Sequence, residues 1–128
     1  MSDLSSYCLE RELAEPGKGG REMVMMDNLS QAVNELQVLQ LSMRRDPPGS
    51  SRIGEPHVLY RSSRGTVLLH IYQIGGYSSS GKPPAWRQLK VQEILSAQPT
   101  GGKFELRWNE GYNPGNRKFY RQIICCAE

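Results

Sequence analysis

Between His57 and Lys90 the chain interleaves rings with cations: Tyr60, Arg61, Arg64, His70, Tyr72, Tyr77, Lys82, Trp86, Arg87 and Lys90, with Gln73 and Ser78-Ser79-Ser80 among them. Such a mixture suits nucleic acid. Rings stack on bases, each stack contributing about 1–3 kcal/mol. Cations meet phosphates and release counterions. Arg64, Lys82, Arg87 and Lys90 are the expected phosphate contacts, and Tyr72, Tyr77 and Trp86 the expected stacking rings. The Ser78–Gly81 run adds hydroxyl and backbone donors for an anion. Arg87 is singled out by parity: it shares a strand face with Leu89 and Val91. A guanidinium on an inward face needs an internal partner or a ligand. Other roles stay open. Tyr72 lies in an apolar strand and also suits sheet packing; Trp86 also suits covering the mouth of a barrel.

Enzyme signatures are absent. There is no P-loop and no G-x-S-x-G elbow. His57 and His70 are not placed by sequence beside a carboxylate or thiol that would complete a triad, so a nuclease built on either ranks last. No catalytic residue, metal ligand set or cofactor is expected. Cys8, Cys125 and Cys126 are odd in number and lack C-x-x-C spacing, which points to reduced thiols in a cytoplasmic protein.

The elements that must position these residues follow from periodicity. The 128 residues suit one domain, with 38% apolar and 23% charged side chains. No stretch approaches the roughly 18–20 apolar residues of a helical membrane span, so no membrane partner is expected. Met1–Glu15 has no basic-then-apolar pattern, so no secretory leader is expected. Residues 1–50 carry five Lys/Arg against eight Asp/Glu, and residues 51–128 carry eleven against five. A basic body behind an acidic leader leans toward a polyanionic partner.

Pro16-Gly17-Lys18-Gly19-Gly20 interrupts any regular element, so residues 1–26 are expected to form a mobile tail before a domain over 27–128. Asp27 or Asn28 caps a short helix whose face is Leu29, Ala32, Val33 and Leu36. The period then becomes two: Leu39, Leu41 and Met43 alternate with polar residues, as in a half-buried strand. A second strand runs from Arg52 to Arg61 with an edge or bend at Pro56. Ser62–Gly65 is a hairpin turn. Thr66–Gly75 and Ala85–Ile94 are the next strands, and Tyr120–Ala127 is the last. The expected fold is mainly β: a small antiparallel β-barrel of about five strands with one N-terminal α-helix.

The order of these segments resembles WYL-domain proteins. The resemblance rests on Arg52-x-x-Glu55-Pro56, on Tyr72-Gln73-Ile74-Gly75-Gly76-Tyr77-Ser78-Ser79-Ser80-Gly81, and on Pro84-Ala85-Trp86-Arg87, with Phe104 and Gly111-Tyr112-Asn113-Pro114 following. It covers about residues 28–127. It implies an Sm-like barrel and a non-catalytic ligand-sensing or regulatory module of bacteria or phages that binds nucleic acid or a nucleotide-type anion. By position, the ligand-facing polar residues it implies are His57, Tyr72, Gln73, Trp86 and Arg87. The Trp-Tyr-Leu triplet is missing, the corresponding strand reading Leu69-His70-Ile71-Tyr72-Gln73. Residues 1–27 are too short and Gly-rich for a helix-turn-helix. The alternative expectation is a protein-interaction or oligomerisation module, a homo-oligomer or one half of a protein pair, using the apolar last strand.

Overall fold

The computed structural model describes residues 20–128, with side chains from residue 23 onward. The mobile tail, the missing secretory leader and the reduced Cys8 expected over residues 1–19 lie outside the described residues. Among the described residues one helix, α1 (Gly20–Asn34), precedes six strands: β1 (Gln37–Met43), β2 (Arg52–Arg61), β3 (Val67–Gly76), β4 (Ala85–Lys90), β5 (Ile94–Lys103) and β6 (Gln122–Cys126). The helix begins at Gly20, ahead of the expected cap at Asp27. Its buried stripe is the expected one, extended backward by Met26: Leu29, Ala32 and Val33 are fully enclosed. It ends where Leu36 takes a left-handed φ of 54° and turns the chain into β1.

All six strands pair antiparallel in one sheet, in the order β4-β3-β2-β1-β5, with β6 added to β2. β2 is central because it serves three neighbours. One of its edges pairs with β3 throughout. Its other edge pairs with β1 over Arg52–Gly54 and with β6 over Val58–Arg61. Between those two ladders stands Pro56, which has no N–H to offer and which pairs with Ile71 of β3 next to a break in register. The register with β3 slips between Pro56 and Val58, making His57 the extra residue of a bulge. Pro56 thus marks a bend, one of the two expected roles, and lies inside the sheet.

Two expectations need correction. The strand starting at Ala85 stops at Lys90, and Val91–Glu93 form a single 3-10 turn. The chain then re-enters the sheet as β5, a strand with no alternating pattern to announce it. There are therefore six strands in place of about five. β4 and β5 are opposite edges of the sheet, yet three residues join them. A flat sheet would separate those edges by four inter-strand spacings, about 19 Å. A 3-10 turn of this length spans well under that. The sheet must curl, although no ladder closes β4 onto β5.

The curl makes two cores. On the inner face, α1 covers Leu39, Leu41, Leu59, Leu69 and Ile71, with Leu89 and Val91 closing the end. On the outer face, the segment after β5 folds back over Val58 and Tyr60 with Tyr112 and Tyr120. Both faces of β2 are covered, so its seven central residues from Gly54 to Tyr60 are all buried. No helix among the described residues is long and apolar enough to cross a membrane.

Candidate anion-binding cleft

β4 pairs with β3 alone, so its outer side faces the seam where the curled sheet stays open. A cleft of about 220 Å³ lies there, lined by Met43, Arg45, Asp46, Arg52, Arg87, Gln88, Leu89, Lys90 and Glu93. Four cations thus meet two carboxylates, and both carboxylates are already engaged. Asp46 takes a two-point grip from Arg52, whose Nε and Nη2 donate at 2.7 and 2.9 Å. Glu93 sits 3.4 Å from Arg45 and 3.7 Å from Arg44. Arg87 and Lys90 form no ion pair among the described residues.

Arg87 lies on the Leu89 face of β4, as parity required, opposite Ile71 across the ladder. The ladder holds its backbone, and its half-buried side chain reaches the polar loop that follows β3. Nη2 donates to Ser78 Oγ at 3.0 Å and to the Ser80 carbonyl at 2.8 Å. Its Nε is buried and has no hydrogen-bond partner among the described residues. The strongest contacts of this guanidinium are neutral oxygens, and no carboxylate pairs with it among the described residues.

Arg52, in the cleft wall, is tied to a buried amide behind it. Gln73 is fully enclosed and uses both ends of its amide: Oε1 accepts from Arg52 Nη1 at 3.3 Å, and Nε2 donates to the Gly75 and Tyr77 carbonyls at 3.1 and 2.8 Å. Tyr77 lies beneath Arg52, with the guanidinium carbon 5.8 Å from the ring centre. Loop, ion pair and strand are therefore linked through one amide. Hydrogen bonding to Asp46 raises the Arg52 pKa against the opposing effect of burial, so Arg52 stays charged.

The structure divides the expected site residues. Arg87 and Lys90 line the cleft, whereas Gln73 and Tyr77 stand outside its lining and touch it through Arg52. Lys82 is exposed on the loop above. Arg64 is exposed on the β2–β3 hairpin and lines a separate hollow. His57, Tyr72 and Trp86 belong to the outer-face core. The Trp86 ring lies 4.9 Å from His57, 4.8 Å from His70 and 5.1 Å from Tyr72, and its indole N–H donates to the Glu110 carbonyl at 2.7 Å. Its donor and part of its ring are engaged within the protein. The Tyr72 ring carries the Arg107 guanidinium, 4.8 Å above its centre.

His57 is fully buried. Its Nδ1–H donates to the Glu55 carbonyl at 2.9 Å, and Nε2 accepts the Arg107 backbone N–H at 3.2 Å. Those two partners fix the neutral tautomer. Burial lowers its pKa, outweighing the opposing pull of the Glu55 carbonyl and carboxylate. With both ring nitrogens engaged, neither points into the cleft. His70 shares a 2.7 Å hydrogen bond with the Tyr120 hydroxyl. Among the described residues no cluster of three His, Cys, Asp or Glu side chains could hold a metal ion.

Arg45, Asp46, Arg52 and Glu93 were missed as cleft residues by sequence reasoning. Comparison with family models, curated proteins and solved structures gives no match for this chain.

Proposed function

We propose that this chain is a non-catalytic regulatory module, WYL-like in kind, whose cleft binds the phosphate of a nucleotide or of nucleic acid. One observation carries the reading: the half-buried Arg87 guanidinium bonds neutral oxygens and has no carboxylate partner among the described residues. Lys90 adds a second uncommitted cation, and the Arg52–Asp46 pair holds the wall. The curl of the sheet and the three-residue crossing from β4 to β5 support an Sm-like barrel with an open seam. The cytoplasm, where nucleotides are plentiful, is the compartment this reading implies.

The geometry favours an anion-centred site over a broad stacking platform. Tyr72 and Trp86 pack on each other and on their neighbours. Of the expected rings, Tyr77 touches a lining residue, Arg52, from outside the cleft. Fluorescence anisotropy with a labelled single-stranded oligonucleotide, and calorimetry with a mononucleotide, test the reading at low and moderate salt. Binding that weakens with salt, and falls at least tenfold in Arg87→Ala, supports it. No binding at low salt, or an unaltered Arg87→Ala, overturns it.

A second reading has its own observation. β4, β5 and β6 each pair on one side only, and Leu95 on β5 is 56% exposed. Open strand edges recruit further strands. A mass that rises with concentration in light scattering, without nucleotide binding, would favour an oligomerisation module.

A further inference from the structure

A second hollow of about 220 Å³ lies at the β2–β3 hairpin, lined by Arg61, Arg64, Gly65, Thr66, Val67 and Gln92. No carboxylate lines it. Arg61 is half-buried and makes one long contact, 3.4 Å, to the Gly65 carbonyl. Arg64 is exposed at the turn. The hairpin itself is firm: Gly65 N–H donates to the Ser62 carbonyl at 2.9 Å, and the Arg64 and Thr66 N–H groups donate to Ser62 Oγ, each at 3.3 Å. The two guanidiniums are therefore presented from a hydrogen-bonded turn, with no carboxylate partner among the described residues.

The two hollows are neighbours. Gln92 lines the hairpin hollow, and Glu93, the next residue of the same 3-10 turn, lines the Arg87 cleft. Across the ladder, Lys90 of the cleft pairs with Leu68, one residue beyond Val67 of the hairpin hollow. Two residues of strand, roughly 7 Å, separate Thr66 from that pair. The hollows share no lining residue, so a single phosphate fills one and leaves the other empty. The nearest carboxylate between them, Glu93, is held by Arg44 and Arg45.

We infer that a single-stranded oligonucleotide lies across both hollows, with Arg61 and Arg64 holding a second phosphate beyond the one at Arg87. This inference rests on the anion cleft proposed above and specifies its ligand. A chain of regularly spaced phosphodiesters supplies charge to both hollows, and a mononucleotide supplies it to one. Cations that neutralise phosphates of a single strand steepen the salt dependence by about 0.7 in log–log slope per phosphate.

The test compares thymidine monophosphate with a ten-residue oligothymidylate on the wild-type chain, on Arg87→Ala, on Arg61→Gln/Arg64→Gln, and on Arg64→Gln alone. Thermal midpoints accompany each variant, and Arg64→Gln, altered only at an exposed turn, guards against loss of folding in the double variant. The double variant is expected to weaken the decamer at least tenfold, to flatten its salt slope, and to leave the monophosphate within twofold. Arg64→Gln should weaken the decamer by a smaller factor in the same direction. A decamer affinity unchanged in both hairpin variants overturns this inference while Arg87→Ala still reports on the cleft. Equal weakening of both probes also overturns it. Absence of binding to either probe by the wild type overturns the cleft reading and, with it, the oligonucleotide.

Discussion

The Arg107 guanidinium holds the Glu55 carboxylate in a two-point grip, Nε to Oε1 at 2.7 Å and Nη2 to Oε2 at 2.9 Å. Glu55 is 3% exposed in the central strand, and Arg107 comes from the segment that folds over the outer face. The same residue donates its backbone N–H to His57 and lays its guanidinium over Tyr72. One arginine thus clasps the returning chain onto β2 and β3. The hydrogen bonds to Glu55 raise its pKa further, beyond any pH at which it could lose its charge.

Arg107→Ala leaves a buried carboxylate without its partner. Breaking a fully buried pair costs about 3–5 kcal/mol. A third of the Arg107 side chain is exposed, which reduces the expected loss to about 2–3 kcal/mol. Arg107→Lys keeps the charge and loses the fork, so it should fall between alanine and wild type. Urea unfolding of the three chains measures this; equal midpoints would show that the clasp contributes nothing.

Acid should loosen the same region. Burial, with His57 close by, draws His70 from its ordinary 6.5 down to about 4. Between those values the unfolded chain binds a proton that the folded chain refuses, so stability falls as pH drops from about 6.5 toward 4. The full effect of this shift is about 3 kcal/mol. His70→Asn should show a shallower loss over that window, the remainder coming from His57. Denaturant midpoints at pH 7 and pH 4.5 decide it: the same pH dependence in both proteins would contradict a buried, neutral His70.

Local signals were legible in the sequence and remote ones were not. The Leu29–Val33 stripe, the Leu39–Met43 alternation and the Ser62–Gly65 turn each depend on neighbours within a few residues, and each stands in the structure. β5 was illegible because it lies largely exposed, with Pro99 and Gly101-Gly102 in place of an apolar alternation. Strand parity placed Arg87 on the Leu89 face. Nothing within β4 could reveal that Trp86 would be enclosed by partners such as Tyr112 and the Glu110 carbonyl. Arg107 carried no signal at all, because its partner lies 52 residues away.

Gly76 closes β3 and opens the loop that Arg87 holds. Its φ is 83°, and an added Cβ would overlap the Ser51 carbonyl oxygen. That oxygen accepts the Tyr77 N–H at 2.9 Å. Gly76→Ala therefore combines left-handed backbone strain with a backbone clash, and about 2 kcal/mol or more of stability should be lost. Gly81→Ala, also left-handed but with open space around it, should cost about 1–2 kcal/mol. Thermal or urea unfolding ranks the two; a Gly76→Ala protein no weaker than Gly81→Ala would contradict the close approach.

The decisive observation concerns the Arg87 Nε–H. In a nitrogen-resolved proton spectrum of the folded chain, that signal should move saturably as a nucleotide monophosphate is added at low salt. Its titration curve should match the calorimetric affinity and disappear in Arg87→Lys. A signal that stays in place while the ligand saturates some other part of the molecule would show that the idle donor serves no anion.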